Sequence, residues 1–139
     1  MKKSAAAILS ATLAASALTS VSCSSLSNCS ADFTGIRING HAVKDSLQVS
    51  CDPPPSAYVV NVEMDYRTGS SPYTALVRRG PILTIPRHVG FFLNLSVVCL
   101  VGWYRAQAET TVVEKYGDPR ITTVILGKEI HITDSRQCK

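Results

Sequence analysis

Hydrophobic and polar residues alternate along much of this chain with a period of two, which is the pattern of a strand with one buried face. The clearest run covers residues 57–67. Its apolar side chains share one face, and they are Tyr58, Val60, Val62, Met64 and Tyr66. Residues 45–51 alternate in the same way and stop before a run of prolines, because proline cannot donate to a sheet ladder. Both segments are therefore predicted as strands.

Shorter segments between turn residues extend this pattern. Strands are predicted over residues 33–38, 73–77, 82–85, 121–126 and 129–133. The almost uncharged residues 89–104 are interpreted as a bend followed by the central buried strand. Helical periodicity of 3.6 residues is not found. Seven or eight short strands separated by turns are typical of an all-β sandwich or barrel.

The amino-terminal residues follow a different pattern. Lys2 and Lys3 precede an uncharged, alanine-rich stretch over residues 5–18, and small residues follow at positions 20–22. This order is that of a secretory signal peptide, whereas a membrane-spanning helix needs about 20 apolar residues. We therefore expect an exported protein with a signal peptide over residues 1–22, a Ser-rich tether over 23–31 and a β-sandwich domain over 32–139. An uncleaved membrane anchor is the alternative.

The chain has five cysteines, and an odd number in an exported protein suggests a separate role for one of them. Cys23 stands where the mature chain would begin, after Thr19-Ser20-Val21-Ser22. This segment resembles the lipobox of bacterial lipoproteins, in which the cysteine receives a diacylglycerol and becomes the first residue. Ser20 departs from the Leu of the strongest lipoboxes. The resemblance implies a membrane anchor on Cys23, and ordinary cleavage after Ser22 or Ala17 is the alternative.

The other four cysteines are Cys29, Cys51, Cys99 and Cys138, and four cysteines allow three pairings. We favour Cys51–Cys99 across the core and Cys29–Cys138 between the ends of the domain. Such bridges fit an oxidising compartment outside the cytoplasm. A cysteine on an early strand and another 48 positions later indicate an immunoglobulin-like β-sandwich of about seven strands. The likeness to that family is partial, because Trp103 follows the second cysteine instead of preceding it.

Charge and candidate chemistry narrow the classes of function. Without Lys2 and Lys3, twelve basic residues stand against ten acidic ones, and this net charge of +2 does not indicate nucleic-acid binding. With no CxxC pair and three widely spaced histidines, we predict neither a metal site nor another cofactor. Glu63 and Asp65 share a strand face, which we interpret as solvated. No GxSxG elbow is present, so we expect a protein that is not an enzyme.

Arg78, Arg79 and Arg87 flank a short predicted strand. They are candidates for a basic rim that binds an anionic partner, such as a cell-wall polymer or a lipid headgroup. The alternative is a solvated edge that discourages strand pairing. The segments 53–57 and 68–73 are the loops that we expect to carry a binding site, because loops on a rigid sandwich often carry function.

Two segments resemble those of small exported proteins and lipoproteins of actinobacteria, a group with no assigned activity. They are CDPPP at residues 51–55 and CLVGWYRAQA at residues 99–108. The resemblance implies no site residues. We expect a membrane-anchored lipoprotein at the cell envelope that binds an envelope or extracellular protein or glycan. A secreted, unlipidated effector or inhibitor, which blocks a protease or receptor, is the alternative.

Overall fold

The structure is a computed structural model, and it describes residues 26–115 and 120–139. The predicted signal peptide and Cys23 lie outside these residues. Within the two described segments, no helix has the length and hydropathy needed to cross a bilayer.

Nine strands follow one another along the described chain, and a short 3-10 helix at Ser135–Cys138 comes after them. The strands are β1 (Cys29–Phe33), β2 (Arg37–Asn39), β3 (Ala42–Cys51), β4 (Ala57–Arg67), β5 (Thr74–Thr84), β6 (Phe91–Val98), β7 (Gly102–Val113), β8 (Arg120–Leu126) and β9 (Ile130–Ile132).

The strands form two antiparallel sheets that pack as an all-β sandwich, as the alternating pattern predicted. In the four-stranded sheet, β1 and β2 follow one edge of β3 and β6 pairs with its other edge. In the five-stranded sheet the order is β5-β4-β7, and β8 and β9 share the far edge of β7. The nine strands thus occupy seven positions. The pairing of β3 with β6 and of β4 with β7 is that of an immunoglobulin-like sandwich.

The core lies between the two sheets. Tyr58, Val60 and Met64 of β4 are at most 1% exposed, and they pack with Leu47 and Leu95 from the opposite sheet. The predicted strand over residues 57–67 is confirmed with unchanged bounds. A strict period of two therefore located the central strand and its buried face.

The predicted disulfide pairing is wrong. The bridges are Cys29–Cys51 and Cys99–Cys138. Cys29 lies directly opposite Cys51 in the β1–β3 ladder, with 4.0 Å between their Cα atoms. Cys99 follows the end of β6 that pairs with Ala42, nine residues before Cys51 on β3. Cys51 and Cys99 are therefore separated by about 30 Å along the sheet, far beyond the reach of a disulfide.

Four other segments differ from the sequence interpretation. The strand predicted over residues 33–38 is divided between the end of β1 at Phe33 and β2. The residues of the predicted tether from Cys29 onward belong to β1 and pair with β3. The two strands predicted over residues 73–77 and 82–85 are parts of the single strand β5. The apolar residues 89–104 contain β6 and the start of β7, which belong to different sheets.

The sandwich has two ends, which the path of the chain distinguishes. At the entry end, the chain arrives through residues 26–28 beside the loops 52–56 and 86–90. Asn28 N–H donates to the Pro53 carbonyl over 3.2 Å, and Cys51 N–H donates to the Arg87 carbonyl over 3.3 Å. At the far end, β4 finishes at Arg67, opposite Trp103 of β7. The length of β4 places these ends about 30 Å apart.

Candidate functional site

The outer face of the five-stranded sheet carries acidic, basic, amide and aromatic side chains. Alternation turns every second residue of β4 outward, and the ladder sets each of them beside an outward residue of β7. The resulting cross-strand pairs are Glu63 with Gln107, Asp65 with Arg105, and Arg67 with Trp103. Because both strands are central in their sheet, these side chains stand on a rigid support.

Five of these outer side chains cluster toward the far end, and we call them the aromatic–arginine surface. They are Arg67, Tyr73, Trp103, Arg105 and His131.

The Tyr73 ring lies between two guanidinium groups, with its centroid 5.0 Å from Arg67 and 4.3 Å from Arg105. Arg67 also lies 5.2 Å from the centroid of the Trp103 ring. Trp103 stacks on His131 with 4.0 Å between the centroids and an angle of 4° between the planes. The surface is therefore built from rings and guanidinium planes that position one another through cation–π and stacking contacts.

Two carboxylates balance the arginines. Asp65 lies 3.4 Å from Arg105, and Glu129 lies 3.6 Å from Arg67 and accepts a hydrogen bond from the Tyr73 hydroxyl. The interpretation of this strand face as solvated is wrong at Asp65, which is only 4% exposed. Burial raises the pKa of Asp65, and the charge of Glu63 adds to this, whereas Arg105 acts in the opposite direction. Burial also raises the pKa of Tyr73, which keeps its hydroxyl proton available for donation.

A shallow depression of about 280 Å³ lies beside this surface, where β5 shifts register against Asn61 of β4. Glu63 lines it and accepts hydrogen bonds from Arg78 over 2.8 Å and from Gln107 over 3.0 Å. No histidine lines this depression. Glu63 is held in an ion pair with Arg78, and Glu109 is a second carboxylate that lines the depression.

Of the three arginines predicted as a basic rim, Arg78 and Arg79 both line the depression, whereas Arg87 lies apart from them. Arg78 pairs with Glu63, and its side chain is 77% exposed. Arg79 donates to the carbonyl of Asn94 on β6 over 2.7 Å, so it links the edges of the two sheets. Arg87 lies beyond β5 at the entry end, where its carbonyl accepts from Cys51. The position of Arg79 fits the alternative interpretation, in which edge arginines discourage strand pairing.

The histidines are also apart. His41 precedes β3 at the far end, His88 lies in the entry-end loop, and His131 belongs to β9. Among residues 26–115 and 120–139, no three His, Cys, Asp or Glu side chains come close enough to hold a metal ion.

The sequence interpretation missed the aromatic–arginine surface, although its components were visible. The loop 68–73 was predicted to carry a binding site, and it does contribute Tyr73. The aromatic residues Tyr58 and Tyr104 are fully buried, whereas Trp103 faces outward. The register of β4 against β7 brings Arg67 to Trp103, and no local pattern reveals that register.

Comparison with known proteins gives no match to a protein-family model, to a curated protein or to a solved structure. The function is therefore argued from the surface and the fold of this chain.

Proposed function

We propose that this chain is an exported, non-enzymatic binding module, anchored to the membrane by a lipid on Cys23, which binds an envelope or extracellular protein or glycan through the aromatic–arginine surface. The observation that carries the proposal is the clustering of Trp103, Tyr73 and two arginines on the outer face of a rigid sheet. Trp, Tyr and Arg are the residue types that dominate binding energy at protein interfaces.

The geometry of this surface suits binding. Trp103 is half-buried, so one part of the ring is fixed by its neighbours while another part is open to a partner. His131 is exposed and stacks on one face of the Trp103 ring, so it adds a second aromatic ring to the surface. Side chains that are already ordered lose little conformational entropy on association, which favours affinity.

The disulfides and the pairing of Glu63 support the remaining parts of the proposal. Two bridges are compatible with an oxidising compartment, where an exported domain would fold. Cys23 is left as the fifth cysteine of the chain, as a lipid attachment would require. Glu63 is occupied by Arg78 and Gln107, which argues for a structural role of that carboxylate.

The anchor is tested by the intact mass of the mature protein from membrane and medium fractions of a bacterial host, before and after reduction. A membrane-bound chain that starts at Cys23 and carries acyl mass is expected. Reduction of its two bridges should add about four mass units, one for each sulfur. An unlipidated chain in the medium would contradict the anchor and favour a secreted inhibitor.

The binding surface is tested by photo-crosslinking in cells, with a photoreactive phenylalanine derivative at His131. An aromatic replacement keeps the stacking on Trp103. The matched control is the same derivative at Gln48, which is exposed on the outer face of the other sheet. A discrete product is expected from position 131 alone and should be lost with Trp103→Ala. Protease or glycosidase digestion of the product then identifies its class. Equal products from both positions would contradict the assignment.

A further inference from the structure

Large apolar side chains are exposed at the entry end of the sandwich. The exposed fraction is 86% for Val89, 55% for Ile85 and 60% for Leu26. All three lie on loops or beside a strand end, where soluble proteins usually place polar residues. The far end also exposes apolar side chains, at Val98, Leu100 and Val101, so what sets the entry end apart is that the chain enters the sandwich there. Exposed apolar residues at such an end are suited to contact with an apolar phase.

The loop that carries Val89 has a fixed conformation. The Arg87 carbonyl accepts hydrogen bonds from Cys51 N–H over 3.3 Å and from Gly90 N–H over 2.8 Å. Pro86 is buried, and Gly90 adopts a φ of +75°. A Cβ atom at Gly90 would lie 2.6 Å from the Val49 carbonyl oxygen, so the loop packs tightly on β3. Val89 is therefore held outward by the fold.

The charges at this end are mainly basic. Arg87, Lys115 and Arg120 are exposed around it, and His88 adjoins Val89. Glu114 is only 5% exposed and accepts hydrogen bonds from both the backbone and the hydroxyl of Ser27, so its charge is turned inward. Asp52 is exposed there, and Asp118 lies outside the described residues.

The chain also enters the sandwich at this end. Leu26 is three residues after Cys23, and three extended residues span at most about 11 Å. A lipid on Cys23 would therefore hold residues 26–28 close to the headgroups of the bilayer. Because loops 52–56 and 86–90 lie beside these residues, the same end of the sandwich must face the membrane.

We infer that the entry end docks on a bilayer that contains anionic lipids. Val89, Ile85 and Leu26 enter the interfacial region, and Arg87, Lys115 and Arg120 lie against the headgroup phosphates. The inference rests on the proposed function for the anchor at Cys23. Docking holds the sandwich upright, with the aromatic–arginine surface at its far end, about 30 Å along β4 from the bilayer.

The test uses tryptophan substitutions in the full chain, reconstituted from detergent into vesicles of phosphatidylcholine and phosphatidylglycerol that carry brominated acyl chains. Val89→Trp reports on the entry end. Val98→Trp is the matched control, because Val98 is 58% exposed at the far end of β6. Trp103 is common to both variants, and its fluorescence is subtracted with the unsubstituted chain. We expect strong quenching at position 89 and none at position 98.

Two further measurements separate docking from the anchor. The intact mass and the flotation of each sample with vesicles report lipidation. A lipidated, floating chain without quenching at position 89 overturns the docking and leaves the anchor intact. If the chain is unlipidated, quenching at position 89 by added vesicles still supports the docking, and no quenching overturns it.

The charge requirement is tested with the unlipidated form of the chain. Arg87→Glu leaves the backbone hydrogen bonds of the loop in place. It should weaken partitioning onto phosphatidylglycerol vesicles by about fivefold or more, since each arginine near an anionic surface contributes about that factor. Glu in place of the exposed Gln48 on the outer face of the other sheet is the control, and it should change partitioning little. Equal effects of the two substitutions would contradict a headgroup contact at Arg87.

Discussion

At the residue scale, Asp45 is the least expected side chain of the core. It lies on the inward face of β3 between Val43 and Leu47, and it is 1% exposed. Its Oδ1 accepts from the N–H groups of Gly35 over 3.0 Å and Ser46 over 2.7 Å, which ties the connection between β1 and β2 to β3. Oδ2 has no partner among the described residues. The predicted strand begins at residue 45, and because strand ends are commonly exposed, the alternating pattern did not indicate that this Asp is buried.

This carboxyl should make stability depend on pH. Burial raises the pKa of Asp45 above 3.8, against the opposing effect of its hydrogen bonds. The folded chain then holds this proton more tightly than the unfolded chain, so the stabilisation is complete below about pH 4 and is lost as the pH rises through the folded pKa. Asp45→Asn removes this loss. The free energy of unfolding of the variant relative to the native chain should therefore increase from about pH 4 to pH 7. Urea titrations measure it, with the exposed Asp32→Asn as control.

Glycine positions differ in what they require. Gly90 and Gly40 both have positive φ, +75° and +59°, but only Gly90 has backbone atoms where a Cβ would lie. Gly40→Ala should cost about 1 kcal/mol, since it meets only the conformational penalty. Gly90→Ala adds a clash with the Val49 carbonyl and should cost clearly more, because that contact is with backbone. Thermal unfolding of both variants compares them. Equal losses of stability in the two variants would show that loop 86–90 moves to accept the added methyl group at little cost.

At the element scale, the strands that sequence could predict are those whose pattern is local. β4 was predicted with its observed bounds because polar residues alternate with apolar ones from Asn61 to Arg67 and continue the period of the preceding residues. β5 was predicted as two strands because Gly80 and Pro81 are residues that commonly end a strand. Pro81 is tolerated there because β5 is an edge strand and its pairing with β4 shifts register at this point. In residues 89–104 only Asn94 and Ser96 mark an outer face, and the apolar residues on either side of them give no change of period at the crossover between the sheets.

The odd number of cysteines predicted two bridges and one separate cysteine. It could not predict which cysteines are bonded, because that depends on the pairing of β1 with β3. The Cys29–Cys51 bridge closes a loop of 22 residues. Its removal by a double alanine substitution should cost about 3 kcal/mol in the chain-entropy treatment. The exchange of amide hydrogens should also increase in β1, because the bridge fastens this short strand at its first residue. Urea unfolding and hydrogen exchange check both. Peptide mapping that joins Cys51 to Cys99 would contradict the register.

At the scale of the whole molecule, the sandwich separates two surfaces that are mixed along the sequence. In the sequence, Trp103 is nearer to Val89 than to Arg67. In the fold, β6 runs from the entry end to the far end, so Val89 lies at one end and Trp103 lies at the other, opposite Arg67. Sequence reasoning grouped Arg78, Arg79 and Arg87 by proximity along the chain. The fold sends Arg87 to the entry end, whereas Arg78 and Arg79 both line the depression beside β5. Only the sheet topology assigns residues to ends.

This separation predicts that the two surfaces act independently. Trp103→Ala should weaken partner binding by about 2 kcal/mol or more, as loss of an anchoring aromatic does, and should leave membrane docking unchanged. Val89→Glu should weaken membrane docking and leave partner binding unchanged, because it places a negative charge in the headgroup region and is remote from the far end. Sites about 30 Å apart with no shared contacts should show additive effects, so the double variant should equal the sum of the single ones within about 0.5 kcal/mol. Crosslinking yield at position 131 and vesicle partitioning measure the two effects. A larger coupling would mean that the membrane itself orders the aromatic–arginine surface, and the sandwich would then be a sensor of its anchorage rather than a rigid spacer.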